Sequence, residues 1–292
     1  MIQNWIKTFI LLIFLSILFV FAGYIIAGTT GMYTALIFSI IMNILMFFYA
    51  DKFVLKAYRA QPLDKTQYHA IYAIVEELAQ KINISMPRIW YINTQIANAF
   101  AVGSSPHRSS IALTSGIVQL LNENELRGVL AHEISHIQNR DTLINTIAAT
   151  FSGALGYLAQ SFRYAFLFTT RRRREGEKNQ KGPQLFVVIV IPLIAVLVQL
   201  AISRTREYLA DESAAYITKD PLALASALEK MGKFKQHVYP SKSNFIYATT
   251  SSLFFLFPFP KNGLTMLKTH PPITQRIERL KKIYEQMISL KK

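Results

Sequence analysis

His132-Glu133-Ile134-Ser135-His136 sets two imidazoles four residues apart with a carboxylate beside the first. On a helix, residues four apart are surface neighbours, so both rings can reach one tetrahedral metal ion. Glu133 then stands where it can take a proton from metal-activated water, as general base and proton shuttle. With 6 His and 12 Glu in 292 residues, the run arises by chance about 0.005 times per chain, so coincidence is a poor account of it. The chemistry it points to is metal-assisted hydrolysis, provided that a third ligand exists.

The remaining histidines are His69, His107, His237 and His270. The first three lie in an amphipathic helix, a turn and a loop, and read as structural or surface residues. An acidic ligand is the better candidate. In Ser203-Arg204-Thr205-Arg206-Glu207-Tyr208-Leu209-Ala210-Asp211, Glu207 and Asp211 are four apart and share a helix face. Glu207 can complete the ligand set while Asp211 accepts the outer N–H of a ligand histidine and fixes its tautomer. Glu212 points about 100° away on the same helix and is the weaker candidate. The oxyanion formed on a scissile carbonyl needs a further donor, for which Arg206 and His270 are candidates.

Elements with clear signals carry these residues. Asn122-Glu123-Asn124-Glu125 is a capping box, and Leu126, Val129, Leu130, Ile134 and Ile137 follow at helical spacing. Asp64 with Gln67 reads as the N-cap of an amphipathic helix ending near Lys81. Pro87–Ile92 reads as a strand, and 98–103 with 109–113 as a hairpin around Ser-Ser-Pro-His-Arg. Arg204–Met231 reads as helix broken near Asp220-Pro221, and Gly232–Thr269 as loop-rich. Pro271-Pro272 opens a last helix with Ile273, Ile277, Leu280 and Tyr284 on one face.

The setting is a membrane. Hydrophobic residues make up 51% of the chain and charged ones 17%, more apolar than a soluble domain of this size. Thr8–Ala27 and Met32–Ala50 carry no charge and each reaches about 30 Å as a helix, the thickness of a hydrocarbon core. Only Gly28-Thr29-Thr30-Gly31 separates them, so a helical hairpin is expected rather than a cleaved signal peptide. Lys52, Lys56, Arg59 and Lys65 follow the second span, which places the remainder in the cytoplasm. The net charge of +15 fits anionic lipid; without a Lys/Arg stripe interleaved with aromatics, nucleic acid is not an expected partner. Zero cysteines exclude disulfides and thiolate ligands.

The chain thus divides into a transmembrane hairpin (1–50), a first protease part with the H-E-x-x-H helix (51–142), a second apolar hairpin (143–202) and a second protease part (203–292). The second hairpin, with a basic linker at 171–183, either spans the membrane or is re-entrant. Length favours spanning, whereas Arg171–Arg174 favours the re-entrant form by the positive-inside rule.

The H-E-I-S-H-x-x-N-x-D helix, the S-R-x-R-E-Y-x-A-D segment, the N-A-F-A strand and the terminal T-H-P-P-x-x-Q-R-I-E-R-L resemble the HtpX family of bacterial heat-shock membrane zinc proteases, relatives of the CAAX prenyl endopeptidases. The resemblance covers nearly the whole chain. It implies a mainly α integral membrane protein with a cytoplasmic α+β zincin-like (gluzincin) domain and a small β-sheet. It implies one Zn2+ per subunit on His132, His136 and Glu207, with Glu133 catalytic, and makes Asn98, Ala99, Phe100 and Ala101 a substrate-pairing edge strand. It also makes His270 an oxyanion donor, while Asp141 matches the family run as a supporting carboxylate or a cap. Misfolded or damaged proteins of the bacterial inner membrane would be substrates, with self-cleavage a further expectation. The alternatives are a catalytically silent, zinc-stabilised chaperone or scaffold and a processing protease for prenylated proteins.

Overall fold

The computed structural model describes residues 2–154, 203–238, 253 and 271–290. Helix α1 (Ile2–Ala57) breaks at Ala27 and Gly28, where Gly28 takes a φ of 61° that its missing side chain permits. The chain therefore reverses over two residues rather than the four expected. Asn43 Nδ2 donates to Ser16 Oγ at 2.8 Å and Phe19 meets Phe38 edge-on, the pairing of an antiparallel hairpin. Among the described residues one helix, Ala27–Ala57, is long and apolar enough to cross a membrane; only 17% of its most apolar window is buried, unlike the core helix of a soluble protein. Thr8–Phe21 is a shorter apolar helix.

Strand β1 (Gln61–Pro62) and helix α2 (His69–Lys81) follow. Asp64 does cap, but it caps a turn: its Oδ1 accepts from Thr66 N and Gln67 N, and the helix starts only at His69. Strands β2 (Arg88–Ile92), β3 (Ala99–Ser105) and β4 (Arg108–Thr114) complete a sheet of order β1-β2-β4-β3. The pair β2/β4 is parallel and β3/β4 is the expected antiparallel hairpin. Strands β3 and β4 are buried on both faces, which explains their nearly continuous apolar runs. Ile89, Ala99, Ala101, Ile111 and Leu113 face the core formed with α2 and the helix that carries His132, whereas Ile92, Phe100, Val102 and Ala112 meet Val54, Leu55 and Tyr58 of α1.

A short helix α3 (Ser115–Leu120), capped by Thr114, leads to α4 (Glu123–Gln138). Both halves of the predicted capping box form: Asn122 Oδ1 accepts from Glu125 N at 2.9 Å, and Glu125 Oε2 from Asn122 N at 3.0 Å. Helix α5 (141–154) begins after a turn in which Arg140 adopts a φ of 59°. The second apolar stretch thus starts as this helix, and its Leu143, Ile144, Ile147, Ala148 and Phe151 pack against Leu11, Leu15, Met46 and Ala50 of α1. The rest of that stretch and its basic linker lie outside the described residues.

Helices α6 (Arg204–Thr218) and α7 (Pro221–Val238) are divided where expected, with Asp220 Oδ1 accepting from Ala223 N and Pro221 opening the second helix. Helix α7 extends to Val238, beyond the expected onset of loop. It crosses α4 closely at Gly128, where a Cβ would lie 3.1 Å from Leu224. The last helix, α8 (Ile273–Ser289), buries Leu280 as expected but leaves Tyr284 exposed. Arg276 is buried in its place.

Candidate active site and metal centre

Helix α4 contributes His132, Glu133 and His136, all buried, and α6 brings Glu207 against them. The capping box fixes where α4 starts, and the 3.6-residue turn does the rest. Three donor side chains converge. His132 Nε2 and His136 Nε2 are 3.1 Å apart, and Glu207 Oε2 and Oε1 stand 3.8 Å and 3.6 Å from them respectively. Donors about 2.0–2.1 Å from a tetrahedral zinc are separated by about 3.4 Å, so this triangle has the right size. The set of two imidazoles and one carboxylate can hold a metal ion and leaves a coordination position for a reactant.

Charge supports the same fit. Glu133, Asp141, Glu207 and Asp211 are buried together with the guanidinium groups of Arg206 and Arg276. Among the described residues, with the carboxylates ionised and the imidazoles neutral as metal ligands must be, the cluster would have two negative charges in excess, and buried charge demands compensation. A divalent cation held on the three donors would supply it.

Each imidazole is backed by a carboxylate. His132 Nδ1 lies 3.0 Å from Asp211 Oδ1, and His136 Nδ1 lies 3.0 Å from Asp141 Oδ2. Those acceptors hold the proton on Nδ1 and turn Nε2 toward the triangle. Asp141 is therefore placed behind His136. Arg206, a candidate oxyanion donor by sequence, has Nη1 3.7 Å from Asp141 Oδ1.

Arg276 is the residue the sequence reading passed over. It forks onto Asp211, with Nε and Nη2 donating at 2.8 Å and 2.7 Å. Its position inside the apolar stripe of α8, four residues before Leu280, was the available signal: a charge on a buried stripe implies a buried partner.

The electrostatics separate the two histidines. Burial pulls His132 down to about 4, against its hydrogen bond to Asp211. Burial acts the same way on His136, yet Asp141 and the charge of Glu207 carry it up to about 9. For Glu133, burial raises the carboxyl to about 7, with the charge of Glu207 acting in the same direction.

Glu133 Oε2 also accepts from Ala101 N at 2.9 Å, which ties that carboxylate to edge strand β3. Gly103 N donates to Thr146 Oγ1 of α5 at 3.2 Å. Residues 101 and 103 thus turn their N–H groups away from β4. Asn98 behaves differently: it precedes the strand, its N bonds Thr114 Oγ1 and its Nδ2 donates to Leu253 O. Of the four residues expected to pair with substrate, Ala99, Phe100 and Ala101 are in the edge strand. His270 lies outside the described residues.

Residues 65–284 match peptidase family M48. The chain belongs to that family. A protease HtpX homolog from Desulforapulum autotrophicum is 41% identical over 95% of this chain and 89% of its own length. Homologs of the same description from Thermodesulfovibrio yellowstonii (42% identical, 95% and 98%) and Thermococcus sibiricus (40%, 97% and 97%) are equally extensive. The crystal structure of S. mikatae Ste24p is similar at 20% identity with a TM-score of 0.49, covering 96% of this chain and 67% of that one. M48 membership makes the chain a metallopeptidase, in place of the silent scaffold weighed above, and His132, Glu133, His136, Glu207, Asp211 and Arg276 all fall within the matched residues.

Proposed function

We propose that the protein is a membrane-anchored zinc endopeptidase that cleaves misfolded or damaged proteins of the bacterial inner membrane, with its site facing the cytoplasm. The observation that carries the reading is the donor triangle of His132, His136 and Glu207 with Glu133 one residue along the same helix. One zinc ion per chain, held there, would supply the Lewis acidity that peptide hydrolysis needs. Glu133 takes a proton from the attacking water and passes it to the leaving amine, so that water and amide give acid and amine. Asp211 and Asp141 keep the imidazoles oriented. The substrate lies along Ala99–Ala101 as an added strand, bound mainly through its backbone, which suits unfolded chains of varied sequence. His270 and Arg206 are the candidates for stabilising the oxyanion.

The apolar hairpin of α1, with its exposed Phe9, Ile13, Ile37, Ile41 and Phe48, supports an anchor in lipid. Its basic flank supports the cytoplasmic orientation. The same chemistry makes the protease a substrate for its own copies. Labelling a Glu175→Cys variant in intact cells tests the middle hairpin, since the chain has no other thiol. A thiol shielded from impermeant reagent is the re-entrant outcome, and ready labelling is the spanning one.

Zinc content and proteolysis of an unfolded membrane substrate, measured for the parent and Glu133→Gln, test the mechanism. The variant should keep its zinc and lose turnover by at least about 100-fold, as general-base removal does. Equal turnover in both proteins would overturn the assignment of the base.

A further inference from the structure

Arg276 has no exposed surface, on a helix whose other charged residues (Glu278, Arg279, Lys281, Lys282 and Glu285) are all exposed. Its contacts converge on the metal-binding residues. Beyond the fork onto Asp211, Nη1 lies 3.5 Å from Glu207 Oε2 and Nη2 lies 3.5 Å from His132 Nδ1. Asp211 Oδ1 is shared: it accepts from Arg276 Nη2 at 2.7 Å and faces His132 Nδ1 at 3.0 Å.

We propose that Arg276 is a positioning residue of the metal centre, whose planar fork sets the plane of the Asp211 carboxylate and through it the orientation of His132. The inference rests on the metallopeptidase reading above. A bidentate guanidinium fixes both oxygens of a carboxylate, which an ammonium cannot do. A carboxylate free to rotate would let His132 turn its Nε2 out of the donor triangle.

Two simpler roles are open to a buried arginine here, and each predicts something different. As a mere charge, Arg276 repels an incoming divalent cation, so its removal would tighten metal binding. As a mere staple between α6 and α8, it would govern folding and leave metal affinity alone. The surface already carries such a staple, with Tyr208 Oη on Gln275 Oε1 at 2.9 Å and the Arg279 guanidinium over the Tyr208 ring. Positioning alone predicts weaker metal binding on loss of a positive charge, in protein that is still folded.

The test uses the full chain in detergent, zinc competition against a chelator, and thermal unfolding in excess chelator. Arg276→Lys and Arg276→Met should bind zinc about 10- to 100-fold more weakly than the parent, the scale of lost outer support for a ligand. Asp211→Asn/Arg276→Met leaves no buried charge facing an empty partner, so it keeps the fold testable if a single variant melts. It should bind zinc as weakly as Asp211→Asn alone, within about threefold, because Arg276 acts through Asp211. Parental affinity in Arg276→Lys, tighter binding in Arg276→Met, or parental affinity in the double variant would each overturn the proposal. A parent that holds no zinc would overturn the zinc reading proposed above instead.

Discussion

The two histidines of the site are supported by arms of the same composition and opposite construction. Behind His136 stands Asp141, five residues along the chain, reached through the single turn in which Arg140 takes its left-handed conformation. Behind His132 stands Asp211 of α6, itself gripped by Arg276 of α8, so three helices distant in sequence meet at one nitrogen. The local arm has its arginine at 3.7 Å, and the long-range arm has a bidentate one at 2.7–2.8 Å. The chemistry follows the construction. Burial dominates at His132, where the charges of His136 and then Arg276 also work against Asp211; at His136 the hydrogen bond to Asp141 and the charge of Glu207 outweigh burial and hold the ring well above the ordinary imidazole range. His136 is backed through local chain geometry, His132 through contacts between helices distant in sequence.

Glu207 is the residue on which both arms converge, so its removal should have the largest effect. Glu207→Ala leaves two imidazoles, and zinc content should fall from one per chain to near zero by elemental analysis. Retention of stoichiometric zinc would reject the acidic ligand and with it the symmetry of the arms.

The next effect separates the arms by stability. Asp211→Ala leaves Arg276 buried against a missing partner, a loss of about 3–5 kcal/mol. Asp141→Ala removes an acceptor from His136 and a looser partner from Arg206, and should cost about 1–3 kcal/mol. Denaturant unfolding of both variants in excess chelator reads the difference directly. Equal losses would mean that the distinction between a gripped and a loose carboxylate has no energetic content.

The same distinction sets what could be read from the sequence. The H-E-x-x-H helix was legible because periodicity and a capping box are local, and the β3/β4 hairpin because its turn is. Glu207 and Asp211 were legible as a pair four apart near a span of the right parity. Arg276 was only half legible: its place on the apolar stripe implies a buried partner, but nothing local names one 65 residues upstream. For Asp141, matching the motif could not choose between capping a helix and supporting a histidine; the 3.0 Å contact does. Asp64 misled for a related reason: the same side-chain oxygen caps a helix or a turn with equal chemistry, and here it bonds Thr66 and Gln67 before the helix begins. Strand β1 contains Pro62 and only two residues, too short for any periodic signal.

The smallest effect is the sharpest comparison. At 3.7 Å from Asp141, Arg206 acts as a nearby charge rather than as a fork, and a lysine ammonium supplies charge just as well. Arg206→Lys should therefore leave zinc affinity within about threefold of the parent. That near-neutrality stands against the tenfold or greater loss expected for the same exchange at Arg276. If Arg206→Lys instead weakens zinc as much as Arg276→Lys does, both arginines act by geometry, and the local arm is as dependent on a planar partner as the long-range one. If it abolishes turnover while zinc stays bound, Arg206 belongs with the reacting atoms as the oxyanion donor, and the arm behind His136 ends at Asp141.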